Sequence, residues 1–452
     1  MASDDDPSPT SASVPAVVRD GLVAAVARRR QGTLPEDAAL DAVVELAAAP
    51  RDGEWLVRVR PPGIDLLAGH QARGSVVEVA GDDRPLIVTS VEEELRAAGQ
   101  RALDIVPCAY GAERDDDGEL RGVGPARGAD HTEAVIQIEL ASDVDDGTAA
   151  ALVARLRVTL DLLRAVTDDH AAIRDRLRAA AAALDALCET PGAADVSPAV
   201  VDAARTVRWL LEGNALLLGL GRRKAGAALE DGAPPELPDL GLLRCDPRAA
   251  GRAGTPPPVG PDEPIRVVRL SALSPLHRRV PMLRLDLWVP DDAGGGTAEH
   301  LLWVVARRAA GAPLASVPLL RRKLDRLLER EDVVPGSYDE QHLTLLFQSL
   351  PEDDLFGLDT DALHALIGEL LAEDRDHSVR VVLRPVAGSH AIAALVTVPV
   401  DRWNRVLRQR LERFLLAQLD GDRVDVALSI GGGSSAVTAR MVVHVEAGRA
   451  LP

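Results

Sequence analysis

With 452 residues, the chain is long enough for roughly three domains of ~150 residues each. Its formal net charge of −19 argues against a nucleic-acid partner, because phosphate backbones are bound by basic surfaces. Hydrophobic residues make up 46% of the chain, which excludes a largely disordered protein. Aromatic residues make up only 2%, so the cores must be built mainly from Leu, Val and Ala.

The three cysteines, Cys108, Cys188 and Cys245, are widely spaced and form no CxxC pair. An odd and scattered set is typical of reduced thiols, not of a disulfide framework or a zinc site. The acidic start MASDDDPSPTSAS is unlike a signal peptide, and no run of about 18 apolar residues predicts a membrane span. We therefore predict a cytoplasmic protein with no membrane partner.

In the first part of the chain, strand and helix patterns follow a polar tail (1–15) and a helix from about Val17 to Arg30. Period-two alternation predicts strands, and Ala/Leu/Arg-rich stretches predict helices. We predict, in chain order, strands at 54–60 and 75–81, a helix at 86–99, strands at 102–110 and 133–140, and a long helix over 146–187. The strictly repeating βαβ units of a doubly wound sheet are missing, which favours an α+β sandwich.

The segment ETPGAADVSP (189–198) predicts a boundary. Beyond it, VVDAARTVRWLLEG predicts a helix and NALLLGLG (214–221) an apolar strand. The Pro/Gly-rich stretch 226–264 predicts a loop. Three further strands are predicted at 264–270, 283–289 and 300–308.

A helix is predicted over 317–331, with Ser316 as N-cap and Pro318 in the first turn, where a missing N–H is tolerated. Its leucines recur at helical spacing and should form one apolar stripe that covers a sheet: Leu320, Leu324, Leu327 and Leu328. Pro335-Gly336 ends this helix, and a further helical segment is predicted from Glu340 to about Glu373.

The last block predicts two hairpins separated by a helix, which is a small sandwich of the ferredoxin-like kind. The strands are 379–386, 392–400, 424–430 and 439–447, and the helix is 402–419. One face of this helix should carry Trp403, Val406, Leu407, Leu411, Phe414 and Leu415. We predict that the Val-rich last strand lies at an open edge of the sheet and pairs with a second copy of the chain.

Two glycine-rich segments are candidates for phosphate-binding loops. In GLGRRKAG (219–226), Lys224 takes the place of the third glycine of a dinucleotide fingerprint, and no predicted strand about twenty residues further on places an Asp or Glu for the ribose. This favours a strand that ends in a glycine turn. GGGSS (431–435) lies between two alternating strands, which favours a hairpin loop.

Acidic and histidine side chains offer few candidates for catalysis. Asp82 and Asp83 could form an acid/base couple, but acids before a helix also stabilise its dipole, and we favour that role. RDDDGE (114–119) lacks the EF-hand spacing and predicts a turn. No HxxxH or GxSxG motif occurs, and five histidines fall in or beside strands: His131, His277, His300, His390 and His444. We therefore predict no catalytic, cofactor-binding or metal-binding residue.

Several segments resemble, in the same order, motifs of the large bacterial NAD-specific glutamate dehydrogenases. VPLLRRKLDRLLEREDVVPGSYDE resembles the family's PLLRRKV…LERSGL…PGSHD, and VPVDRWNRVLRQRL resembles YVPRDRYNTELR. Upstream, DDRPLIVTSV (82–91) resembles DDMPFLVDSV, and LSPLHRRVPMLRLDL resembles STVHRPVYLDYI. Similar matches at HTEAVIQIEL, VRWLLEGNALLLGLGRR and PEDDLFGLDTDALHALIGELL extend the resemblance from about residue 50 to 445.

The resemblance implies ACT-like modules, a helical segment and a role in regulating or assembling a hexameric-type glutamate-oxidising enzyme. Two departures stand out: Thr89 occupies the position of the family's Asp, and ALLLGLGR replaces the aromatic-rich FTFLGYR. The family's dehydrogenase and NAD-binding domains are expected further toward the C-terminus than residue 452. The resemblance therefore predicts no catalytic lysine and no nicotinamide site in this chain.

On this basis we expect an α+β fold of tandem ACT-like, ferredoxin-like sandwiches with antiparallel sheets and a helical connecting segment. The expected divisions are a polar tail with an N-terminal helix (1–49), a first ACT-like domain with a long helix (50–190), a second ACT- or PAS-like domain (191–335), a helical segment (336–378) and a third ACT-like domain (379–452).

The expected function is that of a non-catalytic regulatory or assembly protein, related to enzymes that convert glutamate to 2-oxoglutarate. Expected partners are a second copy, a glutamate-dehydrogenase-type chain, and a small amino-acid effector, with no nucleic acid and no membrane. No cofactor is expected here, because NAD would belong to a separate catalytic domain. Two alternatives stay open: one part of a split NAD-glutamate dehydrogenase whose catalytic half is a separate chain, and a stand-alone amino-acid-binding sensor.

Overall fold

A computed structural model of the chain describes residues 14–29, 37–49, 55–189, 197–225, 235–250, 259–291, 296–306, 317–350, 352–373, 380–385, 391–421, 423–430 and 436–445. The chain forms two compact units, Met1–Thr167 with Pro275–Arg279, and Asp168–Ser274 with Val280–Pro452. Helices combine with antiparallel sheets in both units, which confirms the predicted α+β class.

The first unit contains a five-stranded sheet. Its elements are α1 (Ala16–Arg29), α2 (Asp37–Ala48), β1 (Leu56–Arg60), β2 (Val76–Asp82), α3 (Ile87–Ala97), β3 (Ala102–Arg114), β4 (Leu120–Gly124) and β5 (Thr132–Leu140), followed by the long helix α4 (Asp146–Glu189), which passes the unit boundary. The strand order is β1-β2-β5-β3-β4, and all neighbours are antiparallel. Strand β4 and helix α2 were not predicted.

The apolar core of this unit joins α1 and α2 to the sheet. Helix α1 buries Val18, Leu22 and Val26 at i, i+4 and i+8, which places them on one face of the helix. These side chains belong to the same core cluster as Tyr110 and Val135 of the sheet. The helices therefore cover one face of the first sheet.

The middle sheet lies in the second unit. Its elements are α5 (Pro198–Trp209), a π-helical turn (Leu210–Asn214), β6 (Ala215–Lys224), β7 (Leu237–Gly241), α6 (Leu242–Cys245), a 3₁₀ turn (Pro247–Ala250), β8 (Ile265–Leu273), β9 (Pro281–Pro290) and β10 (Gly296–Val305). The strand order is β7-β6-β10-β9-β8, and the pairs are antiparallel.

The prediction of a loop over 226–264 is wrong for part of that stretch. Its backbone forms β7, which pairs with β6 in antiparallel register, and the short helix α6. Leu242 and Leu243 of α6 are buried, so hydrophobic burial overrides the local Pro/Gly signals.

A helical segment follows the middle sheet, with α7 (Pro318–Arg330), α8 (Tyr338–Ser349), α9 (Glu352–Gly357) and α10 (Thr360–Glu373). The predicted stripe on α7 is confirmed, since Leu320, Leu324 and Leu327 are buried. The predicted N-cap is wrong: Val317 occupies that position and has no oxygen with which to cap the helix.

The last sheet is formed by β11 (Arg380–Pro385), β12 (Ala391–Pro399), β13 (Arg423–Ile430) and β14 (Ala436–His444), with α11 (Arg405–Gln418) between the second and third strands. Both predicted hairpins are confirmed as antiparallel pairs. The order is β11-β12-β14-β13, so the prediction of β14 as an edge strand is wrong. The edges of this sheet are β11 and β13.

Helix α11 covers the last sheet with a narrower face than predicted. Leu415 is buried against the sheet, and Trp403, Leu407 and Leu411 are partly buried there. Val406 and Phe414 were predicted on the same face, but their side chains are exposed. These two residues lie outside the stripe that packs on the strands.

The first and last sheets share one arrangement of elements. In each, a strand pairs with the next strand, a helix follows, and the final strand returns between the second and third positions. The order β1-β2-β5-β3 thus corresponds to β11-β12-β14-β13, with β4 added at the far edge of the first sheet. The middle sheet does not share this arrangement.

Candidate functional site

The most unusual polar arrangement in the first unit lies at the start of α3. Leu86 precedes this helix with φ 71°, in the left-handed region, and caps it with no side-chain hydrogen bond. His277 also has a positive φ of 64°. Positive φ is uncommon for residues with side chains, and surrounding contacts must hold such positions in place.

Two hydroxyl groups in the first turn of α3 bind His277. Thr89 Oγ1 lies 2.9 Å from His277 Nδ1, and the backbone N–H of His277 donates to Ser90 Oγ at 3.1 Å. The Thr89 hydroxyl also donates to the carbonyl oxygen of Leu86 at 3.1 Å. Because the hydroxyl has one proton, these contacts are satisfied together when His277 Nδ1 carries a proton and donates to Thr89.

The second turn of α3 carries a buried carboxylate. Glu94 accepts hydrogen bonds from Arg155 Nε at 2.6 Å and from Thr159 Oγ1 at 3.3 Å, and it pairs with Arg279. Both His277 and Arg279 belong to Pro275–Arg279, which is part of the first unit. One face of α3 therefore holds this five-residue segment through the hydrogen bond between Thr89 and His277 and the ion pair between Glu94 and Arg279.

The predicted acidic pair lies just before this helix but does not cap it. Arg84 donates to Asp82 Oδ2 at 2.9 Å and to Thr167 Oγ1 at 2.8 Å. The backbone N–H of Asp83 donates to the carbonyl oxygen of Thr132, and partial burial raises the pKa of the Asp83 carboxyl group. Asp82 is therefore paired with Arg84, and the role of the two acidic residues in stabilising the helix dipole stays a prediction.

The middle sheet carries a buried charge cluster across neighbouring strands. His300 Nδ1 lies 2.6 Å from Asp286 Oδ1, and Arg284 Nε lies 2.9 Å from the same oxygen. Burial opposes ionisation of Asp286, but His300 and Arg284 together lower the pKa of its carboxyl group. His300 Nε2 is buried without a hydrogen-bond partner among the described residues. The cluster fixes the orientation of the His300 imidazole. Among the contacts of the described residues, no hydroxyl or thiol group binds this imidazole.

Lys323 of α7 connects this helix to α9 through hydrogen bonds. Its Nζ donates to the carbonyl oxygens of Leu355, Phe356 and Leu358 at 2.7, 2.8 and 2.7 Å, at the C-terminal end of α9. Cations are stabilised at this end of a helix because the carbonyl groups have no helical partners. Burial lowers the pKa of Lys323 to about 7, and nearby Asp359 opposes that shift.

The glycine-rich segment GLGRRKAG lies mostly inside a strand. Gly219 and Gly221 are central residues of β6 and pair with β10. A Cβ on Gly221 would lie 2.7 Å from Asp239 Oδ1, and one on Gly219 would lie 3.0 Å from Leu240 O, so both glycines allow the close approach of β7. Both glycines therefore lie within a sheet strand and not in the turn between a strand and a helix that a pyrophosphate site needs.

Other predicted positions are structural or lie outside the described part of the chain. The turn at 114–119 is confirmed, with Asp115 Oδ1 accepting from the N–H groups of Asp117 and Glu119. GGGSS (431–435) and His390 lie outside the described residues. His131 is half-exposed beside Asp82, and His444 lies in β14.

Within the described ranges, no helix combines the length and hydrophobicity that crossing a membrane requires. In the same ranges, no group of three or more His, Cys, Asp or Glu side chains is arranged to hold a metal ion. All three cysteines are free thiols: Cys108 is buried, Cys188 is partly buried and Cys245 is exposed.

Three parts of the chain match families named for glutamate dehydrogenase. Residues 31–156 match "Glutamate dehydrogenase, ACT1 domain", residues 317–374 match "Glutamate dehydrogenase, helical motif 1", and residues 380–452 match "Glutamate dehydrogenase, ACT2 domain". The ACT1 and ACT2 matches contain the two sheets that share one arrangement of elements. The chain belongs with the N-terminal region of the large NAD-specific glutamate dehydrogenases.

Whole-protein relatives agree with this family. The NAD-specific glutamate dehydrogenase of Halomonas elongata is 28% identical over 371 residues, which cover 78% of this chain and 22% of the relative. The NAD-specific glutamate dehydrogenase of Mycobacterium tuberculosis is 24% identical over 380 residues, which cover 83% of this chain and 22% of the relative. The chain thus spans about a fifth of the length of these relatives.

Sequence reasoning missed the contacts that organise these sites. Thr89 and His277 are 188 positions apart, and no local pattern links them. Both nevertheless lie in segments that resemble family motifs, DDRPLIVTSV and LSPLHRR. Lys323 precedes the buried Leu324 in α7, so its place beside the apolar stripe was the signal that could have marked it.

Proposed function

We propose that this chain acts as a non-catalytic regulatory and assembly region for a glutamate-dehydrogenase-type catalytic unit. The observation that carries the proposal is the repeated strand order of the first and last sheets, in the two regions matched as ACT1 and ACT2 domains. The helical motif between them buries its leucines and lysine in packing contacts, which suits a scaffold.

The assignment of catalysis to another domain is supported by the glycine-rich segment. The nearest approach to a dinucleotide fingerprint in the sequence lies within β6, where its glycines accommodate β7. A Rossmann site instead needs a glycine turn between a strand and a helix. We therefore assign NAD and the oxidation of glutamate to 2-oxoglutarate to a catalytic domain outside these residues.

The same proposal leads us to expect particular binding partners. We expect this chain to associate with a second copy or with a catalytic chain, and to respond to a small amino-acid effector. The edge strands β11 and β13 leave Val381, Leu383 and Leu428 exposed, so they are better candidates for strand pairing than the interior β14.

The test uses the purified full chain with NAD and glutamate. We expect no NADH formation above background by this chain alone, measured by absorbance. NADH formation proportional to this protein, and retained through repeated purification, would contradict the proposal. Adding the catalytic region of a relative should give a complex in light scattering. A rate that appears only on mixing would identify a split enzyme instead of a regulator.

A further inference from the structure

The outward face of α11 carries basic and apolar side chains together. Val406, Arg410 and Phe414 recur at i, i+4 and i+8, which places them on one face of the helix. Arg413 lies beside them, and all four side chains are exposed. Among the described residues, no carboxylate pairs with Arg410 or Arg413, and Arg413 Nε donates to the carbonyl oxygen of Gln409 at 3.3 Å. These four residues, the α11 stripe, therefore present two positive charges and two apolar side chains to solvent.

A corner with the opposite charge lies between α7 and α8, in the same unit. This α7–α8 corner consists of Asp332, Val334, Tyr338 and Asp339, whose side chains are all exposed. Val334 is 69% exposed and Tyr338 is 75% exposed. In the part of the chain that the structure describes, neither aspartate pairs with a cationic side chain. The corner therefore presents two negative charges and two apolar side chains.

Hydrogen bonds hold the α7–α8 corner in one shape. The N–H of Ser337 donates to the carbonyl oxygen of Val334 at 3.1 Å, and Ser337 Oγ accepts from the N–H of Glu340 at 3.2 Å. Gly336 has φ 79°, a conformation that favours glycine, and its N–H donates to the Glu340 carboxylate. A surface that is already ordered loses little conformational freedom on binding, so the corner is suited to a partner.

Exposed aromatic side chains mark both surfaces. The chain has three phenylalanines and two tyrosines. Phe347, Phe356 and Tyr110 are buried, whereas Phe414 belongs to the α11 stripe and Tyr338 to the α7–α8 corner. Aromatic and arginine side chains are enriched at the centres of protein interfaces. The exposed phenylalanine and the exposed tyrosine of this chain thus lie where a protein partner would bind.

We propose that the α11 stripe of one copy binds the α7–α8 corner of a second copy. Two arginines would meet two aspartates, and the phenylalanine and valine of the stripe would meet the tyrosine and valine of the corner. Pairing of two stripes, or of two corners, would bring like charges together, so charge favours contact between the two different surfaces. This contact rests on the assembly role proposed above and names the surfaces that carry it.

The first experiment measures the mass of the full chain by sedimentation velocity. At about 0.15 M salt the Debye length is about 8 Å, so short-range charge contacts remain effective. We expect the mass to rise above that of the monomer as the concentration is raised from about 1 to 100 μM. A wild-type chain that stays monomeric at about 100 μM would overturn the proposal.

Charge reversal on the α11 stripe locates the first surface. Arg410→Glu combined with Arg413→Glu should raise the dissociation constant at least about tenfold, because like charges then face the aspartates. Arg321→Glu combined with Arg405→Glu is the matched control, since it reverses two exposed arginines outside both surfaces and should change the constant less than about twofold. Association that the α11 reversals leave unchanged would overturn the proposal and favour strand pairing at β11 or β13.

A charge swap locates the second surface. Asp339→Arg combined with Asp332→Asn should also weaken association at least about tenfold, and asparagine is used at position 332 because it tolerates the φ of 51° there. The chain that carries these two changes and both α11 reversals should associate at least about fivefold more tightly than either double variant. If it does not, the corner is not the surface that the stripe binds. The NADH assay described above is independent of these results, so failure of this contact is distinguishable from failure of the proposed function.

Discussion

The first and last sheets contain the same order of elements but bury them to different degrees. In the first sheet, β2 and β5 are buried along nearly their whole length on both faces. In the last sheet, the edge strands expose Val381, Leu383 and Leu428. The difference shows that one chain arrangement can serve either as a fully enclosed core or as a module with open apolar edges.

Because both faces of the first sheet are buried, polar side chains on its strands need hydrogen-bonded partners. Glu133 accepts from Arg114 Nε at 2.5 Å and from Tyr110 Oη at 2.9 Å, and Glu78 accepts from Arg58 Nε at 2.5 Å. A buried charge is tolerated only when it is paired and hydrogen-bonded.

The largest effect is expected from breaking one of these buried pairs. Glu133→Ala leaves Arg114 without its counter-charge and should lower the free energy of unfolding by about 3–5 kcal/mol. The measurement is urea denaturation followed by circular dichroism. Glu119→Ala is the matched control in an exposed ion pair and should leave the midpoint nearly unchanged. Equal shifts for the two variants would show that enclosure of the first sheet is not what makes its polar pairs necessary.

Substitutions at two neighbouring residues of α11 test which face of this helix packs on the last sheet. Leu415 is 4% exposed and Phe414 is 59% exposed. Leu415→Ala should cost about 2–5 kcal/mol through the cavity it leaves. Phe414→Ala should change the free energy of unfolding by about 0.5 kcal/mol or less. A large loss for Phe414→Ala in thermal unfolding would mean that a partner covers this exposed face in solution.

A substitution at Lys323 tests the packing of the helical segment, which shares an apolar core with Leu395 of the last sheet. Lys323→Met leaves three carbonyl groups at the end of α9 without their donor and should cost about 1–3 kcal/mol. The pH dependence has a defined sign. The pKa of Lys323 is lowered from its ordinary value of 10.5 to about 7, so the unfolded state holds a proton that the folded state has released between these values. Stability should rise with pH through that window.

The Lys323→Met variant also supplies the control for this pH effect. Without an amine at position 323, the rise in urea midpoint between about pH 7 and 10 should be smaller than in the wild type. Identical slopes for the two proteins would contradict the lowered pKa and would favour an ammonium group held charged by its three carbonyl partners.

The smallest effect on stability is expected from the contacts at the N-termini of α3 and α11. Helix α11 is capped by Asn404, whose side chain accepts from Leu407 N at 2.9 Å, whereas α3 has no side-chain cap and is held through Thr89 and His277. Thr89→Val should cost about 1 kcal/mol and shift the ¹⁵N resonance of His277 Nδ1. An unchanged resonance would show that the imidazole is oriented by other contacts.

Local patterns predicted much of the secondary structure. Alternation in β12 and β14 and the leucine spacing in α7 follow from faces that the fold buries, so the sequence carries their signal directly. Strand order carries no such local signal, and β14 was therefore placed at an edge when it pairs on both sides. The exposed Phe414 was missed for a related reason, since an apolar side chain does not reveal whether a surface lies opposite it.

The candidate sites were less predictable because they combine distant residues. The bond between Thr89 and His277 depends on which unit the segment Pro275–Arg279 joins. The glycine-rich segment could be assigned as a strand from its own sequence, because its spacing departs from the dinucleotide fingerprint.

The discontinuity of the first unit has a consequence for synthesis. Its last five residues, Pro275–Arg279, follow Thr167 only after the intervening stretch 168–274 has been made. At about 5–20 residues per second, translation therefore leaves the α3 hydroxyls without His277 for on the order of ten seconds. During that interval the nascent first unit is incomplete, and a fragment that stops at Thr167 would remain in that state permanently.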